Sequence, residues 1–114
     1  MPNRGEIWLA DFDPVRGREQ GRQRPALIIS TNQFNNGPAG LVVVVPFTTR
    51  ERQRMPLRVQ VDPPEGGLRE RSWALCEAVR SISTARLVED AAWGTVSERT
   101  LASVEFRVRT LLDL

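Results

Sequence analysis

The chain has 114 residues, a formal net charge of +2, one cysteine and no histidine, and all 16 of its basic residues are arginine. This length suits one domain, which we expect to span residues 1–114. One cysteine excludes an intrachain disulfide or a thiolate cluster, and without histidine a metal would have to bind carboxylates. We expect a cytoplasmic protein, because the apolar run 41–47 is too short to span a membrane and no signal peptide is recognisable.

The arginines are concentrated in two segments of the chain. Residues 16–24 contain four arginines and one glutamate, and residues 50–58 contain the same numbers of each. Residues 98–113, in contrast, balance three arginines against three carboxylates. Two basic segments on a nearly neutral body favour binding to a polyanion.

The first half of the chain predicts strands. Residues 6–12 predict a first strand, and residues 26–30 predict a second, with Pro25 tolerated at its entry. Residues 31–38 are rich in turn-forming side chains and have room for one helical turn. The continuous apolar run 41–48 predicts a central strand.

The second half predicts shorter strands and then a helix. Residues 57–61 alternate as a half-exposed strand, 62–67 form a loop, and 73–82 predict two short strands. Ser97 is a suitable N-cap, and apolar residues then recur at three- and four-residue spacing, predicting an amphipathic helix over 98–112. We therefore expect a mainly β fold, a small curled antiparallel sheet closed by a C-terminal helix.

Arg24 is the strongest single candidate for chemistry. Pro25 fixes the backbone beside it, and the buried strand that follows anchors it, so its planar guanidinium could bind a phosphate through two hydrogen bonds. The alternative is an ordinary surface arginine at a strand start. Arg18 and Arg22 have the same two interpretations, and the solvent-exposed one is stronger for them.

Thr48, Thr49 and Arg50 follow the central strand directly. A threonine at a strand end can donate to a phosphoryl oxygen, or it can bond its own backbone. Glu19 could be a general base or could pair with a neighbouring arginine.

Several other residues have structural interpretations. Glu77 and Arg80 are three residues apart in a predicted strand, which places them on opposite faces and argues against a mutual salt bridge. Cys76 is expected to be a small buried apolar residue. The tryptophans belong to the core or an interface, although one near a basic groove could stack on a base: Trp8, Trp73 and Trp93.

The order of these elements resembles the MazF/PemK/Kid family of toxin endoribonucleases from toxin–antitoxin modules. The resemblance runs along the whole chain, and its most specific part is the Glu-Gln-Gly-x-x-Arg-Pro element at 19–25, followed by Thr48. The motifs that carry it are Gly5-Glu6-Ile7-Trp8, Asp11-Phe12-Asp13-Pro14, Gly17-x-Glu19-Gln20-Gly21-x-x-Arg24-Pro25-Ala26, Asn35-Asn36, Val45-Pro46-Phe47-Thr48-Thr49, Ala74-Leu75-x-Glu77-x-Val79-Arg80-Ser81-Ile82 and Gly94-Thr95-Val96.

The resemblance implies an SH3-like β-barrel of the CcdB/MazF type that acts as a homodimer. It implies metal-independent, cofactor-free cleavage of single-stranded RNA to 2′,3′-cyclic phosphate and 5′-hydroxyl ends, and an antitoxin partner whose acidic tail occupies the RNA groove. Arg24 and Thr48 match the catalytic arginine and threonine, and Glu19 matches a supporting glutamate. We expect the remaining candidates to contact RNA: Arg16, Arg18, Gln20, Arg22, Thr49, Arg50, Glu77 and Arg80.

The chain departs from the family pattern at a few positions. Arg71 stands where the family often has an acidic residue, and Ala78 stands where it often has glutamine. Both departures concern base preference rather than catalysis. The lysines of the family's RNA-binding loops are absent, so arginines would have to replace them: Arg50, Arg52 and Arg54.

Two other functions fit the same fold class. One is a non-enzymatic poison of DNA gyrase resembling CcdB, and the other is an SH3-like nucleic-acid-binding module. The Glu19, Arg24 and Thr48 set argues against the first, because a protein that only binds another protein needs no phosphate clamp.

Overall fold

The computed structural model describes residues 1–14, 16–17, 21–51 and 56–114. Seven strands and a C-terminal helix dominate this part of the chain, and every strand pairing in it is antiparallel. The prediction of a mainly β fold with a C-terminal helix is therefore confirmed. The elements are β1 (Glu6–Asp11), β2 (Gln23–Ile28), α1 (Asn32–Asn35), β3 (Leu41–Thr48), β4 (Arg58–Val61), β5 (Ser72–Leu75), β6 (Arg80–Ser83), β7 (Gly94–Thr95) and α2 (Glu98–Leu112).

The strands follow the order β4-β5-β3-β2-β1-β7, with β6 also paired to β3. β3 changes partners along its length: Val44 lies opposite Ile28 and Arg80, whereas Phe47 and Thr48 lie opposite Ala74 and Trp73 on β5. The sheet thereby curls into a half-barrel around β3. The end of β3 lies where the strands diverge, which leaves space for a groove.

Side chains from the two faces of the sheet form two apolar clusters. One contains Ile7, Leu27, Val45 and Phe47 and is covered by α2 through Val104. The other consists of Trp8, Ala10, Phe12, Ala26, Ile28, Val42, Val44 and Ile82. Alternate residues of β1, β2 and β3 thus point to opposite cores, which explains why β3 reads as a continuous apolar run.

α2 begins where the sequence predicts. The Ser97 hydroxyl accepts a hydrogen bond from the Thr100 amide at 3.1 Å and caps the helix. Arg4 ties the helix to the sheet, because its guanidinium pairs with Glu105 on α2 and also donates to the Ile29 carbonyl. No helix in the described ranges is both long enough and apolar enough to cross a membrane.

Some strand boundaries differ from the prediction. β2 begins at Gln23, three residues before the predicted start, so Arg24 and Pro25 lie inside the strand. Over these residues β2 pairs with β1, and β3 joins it at Ala26. β2 is therefore an edge strand at Pro25, which is the setting in which a residue without an amide hydrogen is tolerated.

The segment 73–82 forms two strands, as predicted, but a 3-10 turn separates them. Cys76, in that turn, is fully buried, which confirms its structural interpretation. Trp8 is buried in the second apolar cluster and Trp93 packs against the first, as expected of core residues. The Arg69 guanidinium lies 4.5 Å from the Trp93 ring centroid.

Candidate active site

A groove of about 1210 Å³ opens beside the end of β3. It is lined by five arginines and one carboxylate among the described residues, so its charge is strongly positive. Seven predicted site residues line it: Arg22, Arg24, Thr48, Thr49, Arg50, Glu77 and Arg80. Part of its floor and walls comes from residues that were not predicted as site residues: Phe12, Pro46, Arg58, Leu75, Ala78 and Val79.

Arg24 is held in place by backbone carbonyls. Its Nε donates to the Gly21 carbonyl at 2.7 Å, and its Nη1 lies 3.5 Å from the Phe47 carbonyl oxygen. Burial lowers the pKa of Arg24, and the nearby charges of Arg22 and Arg50 lower it further. An anion bound here would relieve the repulsion between these cations.

Thr48 lies close to Arg24. β2 pairs with β3 only as far as Ala26 opposite Pro46, but Arg24 Nη1 comes within 3.5 Å of the carbonyl oxygen of Phe47, and Arg24 and Thr48 both line the groove. The Thr48 hydroxyl accepts a hydrogen bond from the Arg50 amide at 3.2 Å. Accepting that bond uses one lone pair and leaves the hydroxyl hydrogen available to donate. The bond to the local backbone is therefore present, and it does not prevent donation to a phosphoryl oxygen.

Glu77 corrects a prediction. It lies in the 3-10 turn Cys76–Ala78 rather than in a strand, so strand alternation does not apply, and Glu77 and Arg80 both line the groove instead of facing opposite sides. Glu77 Oε2 accepts from Arg58 Nε at 3.1 Å and from Arg58 Nη2 at 2.9 Å. Its Oε1 is buried and has no hydrogen-bond partner among the described residues.

Arg58 was not predicted as a site residue, although it belongs to the basic segment 50–58. Its side chain is only 10% exposed, because Glu77 pairs with it from the facing turn. The signal that could have identified it is a charged residue inside an alternating strand. Arg80 also has an unpredicted neighbour, since its guanidinium lies 5.9 Å from the ring centroid of Phe12.

The remaining predicted residues are not placed in the groove. Arg16 is exposed and is not among the residues that line it. Arg18, Glu19 and Gln20 lie outside the described residues, as do Arg52 and Arg54. No group of three or more Cys, Asp or Glu side chains suited to holding a metal occurs within the part of the chain that the structure describes.

The likeness to known proteins extends over nearly the whole chain. It is 36% identical to the endoribonuclease MazF9 of Mycobacterium tuberculosis, over 100% of this chain and 98% of that protein. The fold matches a crystal structure of MazF from Deinococcus radiodurans with a TM-score of 0.85 and 29% identity, covering 99% of this chain and 97% of the other. The fold also matches a chain in a crystal structure of MazE–MazF from D. radiodurans, with a TM-score of 0.78 and 28% identity. That match covers 99% of this chain and 97% of the other.

These likenesses agree with the order of strands and helix described above. A family model also matches residues 3–112, and it describes PemK-like, MazF-like toxins of type II toxin–antitoxin systems. The match includes every strand of the half-barrel and the whole of α2. The chain belongs to this toxin family.

Proposed function

We propose that this protein is a toxin endoribonuclease, a single domain that cuts single-stranded RNA in the basic groove without a metal. The observation that carries the proposal is the convergence of Arg24 and Thr48, from neighbouring strands, in a groove lined by four further arginines. The relative MazF9 is named an endoribonuclease, and it matches this chain over its full length.

RNA supplies the nucleophile for this reaction. Its 2′-hydroxyl loses a proton and attacks the adjacent phosphorus, and the bond to the 5′-oxygen breaks as that oxygen takes up a proton. The products are a 2′,3′-cyclic phosphate and a 5′-hydroxyl end. Arg24 binds the non-bridging oxygens, and Thr48 donates a further hydrogen bond as negative charge builds on them. Water is not activated in this step, so the absence of histidine from the chain is no obstacle.

Two groups can accept the proton of the 2′-hydroxyl. One is Glu19, whose carboxylate is the supporting group that the family resemblance implies. The other is Arg24, which could accept a proton only as the neutral guanidine, a form that burial and two neighbouring arginines favour because they lower its pKa. Glu19→Gln tests this choice. If the cleavage rate falls and high pH does not restore it, the result supports Glu19 as the base, whereas an unchanged rate excludes Glu19 and leaves Arg24 as the candidate.

The positive charge of the groove also indicates what kind of partner would bind it. MazF of D. radiodurans forms a complex with MazE. We propose that an antitoxin of that kind places an acidic segment against the groove arginines and so competes with RNA. We further propose that the toxin acts as a homodimer in the cytoplasm, where its RNA substrate is found.

Incubating the purified protein with single-stranded RNA in excess EDTA tests the proposal, with DNA of the same sequence as the control. We expect discrete RNA fragments and intact DNA, because DNA has no 2′-hydroxyl. RNA binding without cleavage would instead support a nucleic-acid-binding module, and inhibition of gyrase without RNA cleavage would support a gyrase poison.

A further inference from the structure

One peptide group connects Asp13 to Arg24. The amide of Arg22 donates to Asp13 Oδ1 at 2.8 Å, while the carbonyl of Gly21 accepts from Arg24 Nε at 2.7 Å. This amide and this carbonyl belong to the same Gly21–Arg22 peptide, which is trans. In a trans peptide the two groups are rigidly coplanar and point in opposite directions. Holding the amide toward Asp13 therefore aims the carbonyl at Arg24.

The peptide needs such support because Arg22 has an unfavourable backbone conformation. Its φ is 63°, in the left-handed region, although it carries a side chain. That conformation is unfavourable for a residue other than glycine, because the side chain crowds the following carbonyl oxygen. The Asp13 carboxylate and a hydrogen bond from the Phe12 amide to the Arg22 carbonyl, at 3.0 Å, together hold it.

Asp13 is itself fixed by neighbouring groups. Arg86 Nη1 donates to the Asp13 carbonyl at 2.6 Å and to the Asp11 carbonyl at 3.1 Å. The Asp13 amide in turn donates to Asp11 Oδ1 at 3.0 Å. The carboxylate is exposed, yet its backbone is anchored from both sides, so it can act as a fixed acceptor.

We infer that Asp13 is a positioning residue for the proposed RNA cleavage, acting on Arg24 through the Gly21–Arg22 peptide. The carbonyl of that peptide accepts the hydrogen bond from Arg24 Nε, so the terminal amino groups of the guanidinium stay available to bind a phosphate. Without Asp13, only the hydrogen bond from the Phe12 amide still holds Arg22, so the Gly21 carbonyl, and Arg24 with it, is less firmly oriented. This role rests on the proposed function of the groove.

Single-turnover cleavage by Asp13→Ala tests the role. We expect the rate to fall about 10- to 100-fold, since a small misplacement of a catalytic group has effects of this size. Asp13→Asn keeps an oxygen acceptor for the Arg22 amide and should recover most of that loss. Asp62→Ala is the matched control: it removes an exposed, hydrogen-bonded carboxylate that does not line the groove, and should leave the rate unchanged.

The double variant separates positioning from a general structural effect. If Asp13 acts through Arg24, then adding Asp13→Ala to Arg24→Ala should cause no further loss in rate. Additive losses, or an Asp13→Asn variant as slow as Asp13→Ala, would overturn the inference.

A second readout does not depend on activity. The Nε–H resonance of Arg24 in an NMR spectrum, identified by its loss in Arg24→Lys, should exchange with solvent faster in Asp13→Ala than in wild type. Unchanged exchange would contradict the inference even if wild type cleaves RNA. Faster exchange in a protein that cuts no RNA would confirm the positioning while the proposed function failed.

Discussion

Arg24 is placed where binding an anion stabilises both the ligand and the protein. Partial burial and the charges of Arg22 and Arg50 disfavour the charged form of Arg24, so the pKa of Arg24 is lowered. A phosphate in the groove would replace part of this repulsion by attraction. In the proposed reaction the same arrangement would stabilise the transition state better than the substrate, because the phosphoryl oxygens gain negative charge as the reaction proceeds.

The role proposed for Thr48 depends on its hydroxyl. We expect Thr48→Val, which keeps the shape and removes the hydroxyl, to cleave RNA about 100-fold more slowly, which is the typical effect of losing one donor to the developing charge. Thr48→Ser keeps the hydroxyl and should remain within a few-fold of wild type. If both variants cleave at the wild-type rate, the groove threonine does not stabilise the transition state.

Cys76 makes stability depend on pH in the alkaline range. Burial raises the pKa of its thiol from 9.0 to about 11. In the unfolded chain the thiol loses its proton near pH 9, whereas the folded protein keeps it, so stability falls between these pH values. The chain has no tyrosine and no lysine, so no other side chain has its ordinary pKa in this range.

We expect the free energy of unfolding, measured in urea, to fall by about 2 kcal/mol between pH 8 and pH 10.5 in wild type. Cys76→Ala should be less stable at both pH values because a buried side chain is shortened, but it should lack this additional pH-dependent loss. An equal loss in the two proteins would show that Cys76 is not the group responsible.

Among the elements, α2 was predictable because its signals are local. A cap at Ser97 and one apolar stripe define it without reference to the rest of the fold, and it spans Glu98–Leu112 as predicted. The central strand β3 was predictable for the same reason, since both of its faces are buried.

The site was only partly predictable, because it depends on contacts between distant segments. Nothing local shows that residues 76–78 form a 3-10 turn that carries Glu77 into the groove, or that Arg58 on β4 meets it there. Arg24 was identified by its own neighbours, Pro25 and the buried strand. Its connection to Asp13 requires the pairing of β1 with β2, which only the structure supplies.

The cap of α2 contributes to the stability of the core that the helix covers. We expect Ser97→Ala to lower the free energy of unfolding by about 1 kcal/mol, because the Thr100 amide loses its acceptor. Ser97→Thr retains a capping hydroxyl and should lose less. Urea denaturation of the three proteins checks this, and a threonine variant as unstable as the alanine variant would argue against a capping role.

At the scale of the whole molecule, the distribution of charge matters more than its total. The net charge is only +2, yet five arginines line one groove. RNA binding should therefore weaken steeply with salt, as counterions are released from each neutralised phosphate.

We expect Arg50→Ala to reduce the slope of log K against log salt by about 0.7, the value for one phosphate contact on a single strand. The measurement uses 2′-O-methyl RNA, which binds without being cleaved. Arg99→Ala, an exposed arginine that does not line the groove, serves as the control and should leave the slope unchanged. Equal slopes for all three proteins would place the RNA elsewhere on the surface.

The most direct test of the groove as an RNA-cleaving site is the single-turnover cleavage rate of Arg24→Ala in EDTA, compared with wild type and Arg99→Ala. We predict a fall of about 100- to 1000-fold for Arg24→Ala alone. Wild type should produce fragments that end in a 2′,3′-cyclic phosphate. Cleavage by Arg24→Ala at the wild-type rate, with the same fragment ends, would contradict the assignment.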